Sequence, residues 1–457
     1  MSARMSLVFA ALALVVAAAA PSAHSFRTNE GTLRLPDGVR IAWTLRVPEG
    51  QTPARGFPAI ILEHAGTEAR KSAGVVLTAE DFTQAGYATL TYDRRGNGDS
   101  TGRSDLAGKR DVADLRALRQ WLGSQSGISD SAIGGWGGSV GGAVVLNAVA
   151  AGVPFAAVTV FETWTDLYEA LLPQGIARSH SIEMLVLSPA LSSFVDPAVR
   201  KSHLARLRRL LAARSSLAGL PSVQTPVYLF QGRDDWLFDI SQATRAFARL
   251  NGPRKLYIGA FGHAPSSFPG PDFDYVSEQW HDWFDHFLKG RANGVEADPP
   301  VALARDDGTA HVSYGSLPST TVVSIPLSGH GRVRISAPLV QPLETFGTGL
   351  VDVSLTRLSN FPQLVASVLL RQPGRPFPLV VTEGAIRPRA RTNTIQLANH
   401  SVLLPAGARI ELKLGAGSGG LSGSYVPYGH GRASISTATL RLSVLNSPVS
   451  LAGSTNS

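Results

Sequence analysis

Two segments of the chain carry Gly-x-Ser-x-Gly, the pattern of a strained strand-to-helix turn that holds a serine hydroxyl up as a nucleophile. They are Gly98-Asp99-Ser100-Thr101-Gly102 and Gly137-Gly138-Ser139-Val140-Gly141. With 46 glycines in 457 residues the pattern also arises by chance, so the flanking sequence has to decide. Such a turn needs a buried strand before the serine and a tightly packed helix after it. Ser100 is followed by Gly102-Arg103-Ser104-Asp105, which is loop sequence. Ser139 is preceded by an apolar run at 132–136 and followed by Val140-Gly141-Gly142-Ala143-Val144-Val145-Leu146, a small-residue start opening into an apolar helix. Glycines there allow a sharp turn and a close helix–sheet approach that a β-carbon would obstruct. Ser139 is the candidate nucleophile and Ser100 the decoy.

A serine hydroxyl attacks only when a base takes its proton, and that base must be oriented by an acid. In strand-turn-helix hydrolases the chain order is serine, acid, histidine. The apolar run 226–230 leads into Gln231-Gly232-Arg233-Asp234-Asp235, which places Asp235 as the acid, with Asp234 as its competitor. A further apolar run, 255–258, leads into Gly259-Ala260-Phe261-Gly262-His263, so His263 is the candidate base. His281, Asp282, Asp285 and His286 lie in a helical stretch at 274–288 and offer a metal reading. A complete Ser-Asp-His set requires no metal or cofactor, and none is expected. The chain has no cysteine, which removes thiol nucleophiles, Cys-based zinc sites and disulfide scaffolds together.

These side chains can meet only if several elements deliver them to one end of a sheet. Runs at 58–62, 87–92, 132–136, 155–161, 226–230 and 255–258 read as buried strands. Helical patterns lie between them, such as 112–122 with Leu115, Leu118 and Leu122 at helical spacing. That alternation predicts a mostly parallel sheet covered on both faces over residues 26–295. A helical insertion at about 165–222, ending in an Arg/Leu-rich run at 199–214, is placed as a cap over the site end. Beyond Asp298-Pro299-Pro300 the pattern becomes alternating: Val333/Ile335, Val351/Val353/Leu355 and Ile410/Leu412/Leu414, with Arg334, Asp352, Glu411 and Lys413 between them. This predicts an all-β sandwich or jelly roll over 296–457.

The net charge of +8 is uneven. Residues 300–457 hold 13 bases against six acids, while residues 26–299 balance at 28 of each, and Arg4 supplies the last positive charge. The basic character therefore belongs to the β-rich end, where it could dock on an anionic envelope surface. Arg4 precedes an apolar run at 7–20 that is short for a membrane span. With Ala23-His24-Ser25 behind it, the segment reads as a secretory signal, 1–25, cleaved before Phe26. The mature protein is expected to be secreted or periplasmic, with no nucleic-acid partner.

Taken together, these segments resemble the X-prolyl dipeptidyl aminopeptidase and cocaine-esterase-like (CocE/NonD) serine hydrolases. The residues that carry the resemblance are Tyr92 to Gly102 (the family's D-x-R-G-x-G-x-S-x-G loop), Gly137 to Gly142, Thr165-Asp166-Leu167-Tyr168, Gly232 to Asp235, Gly262-His263 and Trp283 to Gly290. The resemblance implies an α/β-hydrolase with a helical cap, followed by a C-terminal jelly roll, acting on a small peptide or ester. The family usually has tyrosine directly after the nucleophile, where this chain has Val140. The Val140 N–H can still serve the oxyanion, because the donor there is backbone. Where the family often supplies a tyrosine hydroxyl, this chain has Glu63-His64-Ala65-Gly66-Thr67, so Ala65 or Gly66 is expected as the second donor. A dipeptidyl peptidase also needs a carboxylate for the substrate ammonium, for which Glu162, Asp166 and Glu169 are available. The alternatives are a carboxylesterase or acylase without proline specificity, and a non-catalytic envelope-binding protein on a degenerate hydrolase scaffold.

Overall fold

The computed structural model describes residues 25–66, 68–179, 204–263, 266–420, 424–427 and 431–451, together with residues 182 and 186. The expected leader, except Ser25, lies outside them, as do Thr67 and much of the insertion expected at 165–222. Among the described residues no helix is long and apolar enough to cross a membrane.

The large sheet has ten strands: β1 (Phe26–Arg34), β2 (Arg40–Pro48), β3 (Phe57–Glu63), β4 (Ala88–Tyr92), β5 (Ile128–Gly138), β6 (Ala157–Phe161), β7 (Val227–Gly232), β8 (Arg254–Gly259), β9 (Val301–Ala304) and β10 (His311–Tyr314). Their spatial order is β1-β2-β4-β3-β5-β6-β7-β8-β9-β10. The run from β4 through β9 is parallel, with antiparallel strands at both edges. From β3 the chain goes outward to β4 and then crosses to β5 on the other side. That reversal opens a crevice at the strands' C-terminal ends, where ligands bind in open α/β sheets. β3, β4, β6 and β7 are near-continuous apolar runs, as strands buried on both faces must be.

Helices cover both faces. One face packs α2 (Lys109–Gly123), α3 (Val140–Ala150) and α6 (Ser241–Arg249) around Leu115, Leu118, Val144, Leu146 and Phe247. The other packs α1 (Ala73–Gln84) and α7 (Phe273–Lys289) through Phe82, Trp136, Trp280, Trp283 and Phe284. Each fully buried side chain of this size contributes about 1.5–3 kcal/mol, and in a chain without cysteine that burial carries the stability. Of the insertion, α4 (Leu167–Leu171) and α5 (Leu204–Ala212) are described. Leu207 and Leu211 of α5 are buried, while Arg208 and Arg209 face outward.

The C-terminal part is a β domain of antiparallel sheets. One has the order β11 (Thr320–Ile325), β20 (Arg432–Leu445), β14 (Leu350–Ser359), β17 (Arg391–Gln396). The second has β12 (Val333–Ile335), β19 (Arg409–Gly415), β15 (Leu364–Arg371), β16 (Leu379–Ile386), and a small pair joins β13 (Leu343–Glu344) to β18 (Leu403–Leu404). Val351, Val353 and Leu355 point inward against Ile410, Leu412 and Leu414, following the alternation. Strand β12 inverts the expected pattern, since Val333 is exposed and Arg334 is buried. Arg334 lies opposite Leu412, and its guanidinium donates to the carbonyls of Gly329 (3.1 Å) and Ser436 (3.3 Å). The fold is an α/β-hydrolase followed by a β domain. Strands β9 and β10, beyond residue 296, complete the large sheet, so its hydrogen bonding continues to Tyr314.

Candidate active site

Strand β5 ends at Gly138, and Ser139 caps the N-terminus of α3 with φ 52° and ψ −120°. A non-glycine residue held there costs about 1–3 kcal/mol, and such strain persists only where surrounding packing enforces it. A Cβ on Gly137 would sit 2.7 Å from the Gly141 backbone, and one on Gly141 would sit 2.5 Å from the Glu63 carbonyl. The turn, the helix and the loop after β3 are thus pressed together as only glycines permit.

The Ser139 hydroxyl lies 3.1 Å from His263 Nε2, and His263 Nδ1 lies 2.8 Å from Asp235 Oδ2. This geometry sets the tautomer: Nδ1–H donates to Asp235, and Nε2 accepts from the serine. Asp235 is fully buried and also accepts from the backbone N–H of Leu237 (2.8 Å) and Phe238 (3.0 Å) and from Gln231 Nε2 (3.2 Å). Burial alone would raise its carboxyl; His263 and these donors outweigh burial and lower it, keeping it ionised. Burial would likewise depress His263, but Asp235 and Glu162 raise it to about 9.

Residues 37–215 match the model of the X-Pro dipeptidyl-peptidase (S15) family. Over those residues the chain is similar to this family. It is 41% identical over 113 residues to an uncharacterized 31.7 kDa Escherichia coli protein from the traX-finO intergenic region, an alignment covering 24% of this chain and 37% of that one. The chain thus spans little more than a third of the curated relatives it matches. An aminopeptidase from a marine-sediment Thaumarchaeota archaeon superposes with TM-score 0.71 over 92% of this chain and 97% of its own, at 13% identity. A CocE/NonD family hydrolase of Staphylococcus aureus gives TM-score 0.69 over 92% and 94%, also at 13% identity, so both likenesses speak to fold.

The loop Tyr92 to Gly102 is structural here. Ser100 Oγ donates to the Asp93 carbonyl (2.7 Å) and accepts from the Ala42 N–H (2.8 Å), leaving no base beside it. Arg95 pairs with Asp114 and Asp37. Arg94 is not among the expected site residues, but its guanidinium donates to the His64 and Gly66 carbonyls and fixes the loop that carries Ala65. His64 Nε2 accepts the Arg94 N–H (3.1 Å). Burial, then the nearby guanidinium, holds His64 far below the usual histidine range, so it is a neutral structural residue. Val140 follows the nucleophile at the start of α3, and the chain leading into Ala65 and Gly66 is pressed against that helix at Glu63 and His64.

The acids behind β6 separate. Asp166 caps α4, accepting the Glu169 N–H at 3.2 Å, and pairs with Arg245 at 3.3 Å. Glu169 lies 3.8 Å from Arg208. Glu162, in contrast, is buried beside the triad. Asp234 stands outside the triad, its carbonyl accepting from Ser266 Oγ at 3.4 Å. The helical acids and histidines of the metal reading are engaged apart: His281 with Asp81 (2.6 Å), His286 with Glu296 (2.8 Å), Asp285 with Tyr87, Lys289 and Arg291, and the Asp282 carbonyl with Asn293.

The acid loop is also gripped from the β domain, which sequence reading missed because the partners lie far along the chain. His400 Nε2 faces the Asp235 carbonyl at 3.2 Å, Arg233 exchanges hydrogen bonds with the Ser401 backbone, and the Arg233 guanidinium pairs with buried Glu344.

Proposed function

We propose that the protein is a serine hydrolase that cleaves an ester or amide through an acyl-enzyme. The continuous hydrogen-bonded line Ser139–His263–Asp235 carries this reading. Ser139 Oγ attacks the carbonyl carbon while its proton passes to His263 Nε2. Asp235 stabilises the resulting imidazolium through Nδ1–H. The oxyanion is received by the Val140 N–H at the start of α3 and by a backbone N–H of Ala65 or Gly66. His263 then gives its proton to the leaving oxygen or nitrogen. Water, deprotonated in turn by His263, releases the acid and restores Ser139.

Within this reading an esterase or acylase is favoured over a proline-specific dipeptidase. Asp166 and Glu169, two acids available for a substrate ammonium, already face Arg245 and Arg208. A fluorophosphonate probe is expected to label the purified protein and to leave Ser139→Ala unlabelled; undiminished labelling of that variant would sink the assignment. Short acyl esters, run beside Gly-Pro and Ala-Pro anilides, are expected to turn over faster. Faster anilide cleavage would overturn the esterase preference while leaving the triad intact.

A further inference from the structure

Four neighbouring parallel strands, β5, β6, β7 and β8, each deliver one polar side chain from the C-terminal end: Ser139, Glu162, Asp235 and His263. The mechanism above uses three of them. Glu162 is the first residue after β6, and its N–H donates to the Phe230 carbonyl of β7 at 2.9 Å, which ties it to the strand that presents Asp235. Its backbone takes φ 47°, a left-handed conformation that a glutamate adopts only under constraint. The side chain is buried, and Oε1 has no hydrogen-bond partner among the described residues. A carboxylate oxygen of Glu162, one of Asp235 and a ring nitrogen of His263 all lie within 4.8 Å of one another.

A buried carboxylate oxygen without a partner is costly, and a strained backbone adds to that cost. The group lies beside the imidazole, with a His263 ring nitrogen within 4.8 Å of a carboxylate oxygen. We propose that Glu162 is a positioning residue for His263, a second carboxylate that shares with Asp235 the charge of the imidazolium formed when Ser139 gives up its proton. The inference rests on the triad reading above.

The charged groups around the imidazole fit this role. Asp235 and Glu162 flank His263, with Asp234 further out, and the Ser139 hydroxyl occupies Nε2. Burial, then the Asp235 and Asp234 charges, pushes Glu162 up to about 8, while His263 pulls it down. Glu162 and His263 thus each favour the other's charged form, so proton arrival at Nε2 promotes ionisation of Glu162. Neutralising Asp235 removes a repulsion that keeps Glu162 protonated, and Glu162 becomes a substitute acid.

The experiment is a double-mutant cycle on the full chain: wild type, E162Q, D235N and the double variant. Steady-state hydrolysis of a short acyl ester is followed from about pH 5 to 10, beside thermal unfolding. E162Q is expected to keep KM within about twofold and to lower the apparent pKa of the kcat/KM profile. D235N is expected to keep turnover at least about tenfold above Ser139→Ala, and adding E162Q to remove most of that remainder, far more than E162Q removes from wild type. Equal factors for E162Q in both backgrounds, or a raised KM with an unmoved pH profile, would overturn the proposal. If E162Q does not fold, E162D keeps the charge, and a D235N/E162D variant no more active than Ser139→Ala is equally fatal. Full activity in Ser139→Ala would instead remove the triad reading beneath it.

Discussion

His263 stands between two carboxylates and a hydroxyl, and this decides when it can act as a base. An imidazole accepts the serine proton only when neutral. Burial would lower its pKa, but Asp235 and Glu162 raise it to about 9, above the ordinary histidine value, so the neutral form gains ground as pH rises. With an ester that does not itself ionise, kcat/KM is expected to climb with pH, reach half its maximum near pH 9, and level above that. A profile already flat from about neutral pH would contradict this electrostatic account. Asp235 shows the same competition with the opposite outcome, for its four donors outweigh burial and keep it ionised.

At the scale of elements, the site depends on how closely α3 approaches the loop after β3. Gly141 marks the contact: an added Cβ would lie 2.5 Å from the Glu63 carbonyl oxygen and 2.8 Å from that of His64. Both are backbone atoms, and Arg94 pins that stretch through the His64 and Gly66 carbonyls, so it cannot retreat cheaply. Gly141→Ala is expected to cost about 1–3 kcal/mol of stability. It should also lower kcat by about 10- to 100-fold with KM little changed, because the displaced loop carries the proposed second oxyanion donor. Thermal unfolding and steady-state kinetics check both, and a lower Tm with unchanged kcat would separate the loop from catalysis. Arg94 in turn has Glu63 at 3.7 Å, whose carboxyl burial pushes up to about 8 against the pull of that guanidinium.

In the whole molecule, the β domain is built into the catalytic half rather than appended to it. Arg233, two residues before Asp235, reaches across to Glu344 and the Ala304 carbonyl, and Glu344 also accepts from the Ser450 N–H (3.0 Å) and hydroxyl (2.9 Å). Arg233→Met leaves a buried carboxylate without its cation, so a loss of about 3–5 kcal/mol is expected, and Arg233→Met with Glu344→Gln should recover part of it. Denaturant unfolding reads the stabilities and ester turnover reads the acid loop. If the double variant is no more stable than the single, the buried pair is not the link. The surplus of positive charge on this domain also looks different in three dimensions, since Arg334 is buried on carbonyls and Arg371 and Arg441 pair with Glu411 and Asp352.

The strand-and-helix alternation, the β-rich end, and the order Ser139, Asp235, His263 were legible in the chain before folding. Each depends on local periodicity and on the residues immediately after a strand. The same local pattern separated Ser139 from Ser100, since only one serine has an apolar strand before it and a glycine-lined helix after it. Which acids remain near the base was left to tertiary packing. Asp166 and Glu162 lie four residues apart in similar sequence, yet one turns outward to cap α4 and meet Arg245 while the other is folded under His263. Local pattern cannot tell these apart, because burial depends on elements distant in the chain: β7 beside Glu162, Arg245 beside Asp166. The same holds for Arg94, whose partners precede it by about thirty residues, and for His400, which touches the Asp235 carbonyl across 165. Such contacts form only when the sheet is assembled, so their physical cause is absent from any single stretch of sequence.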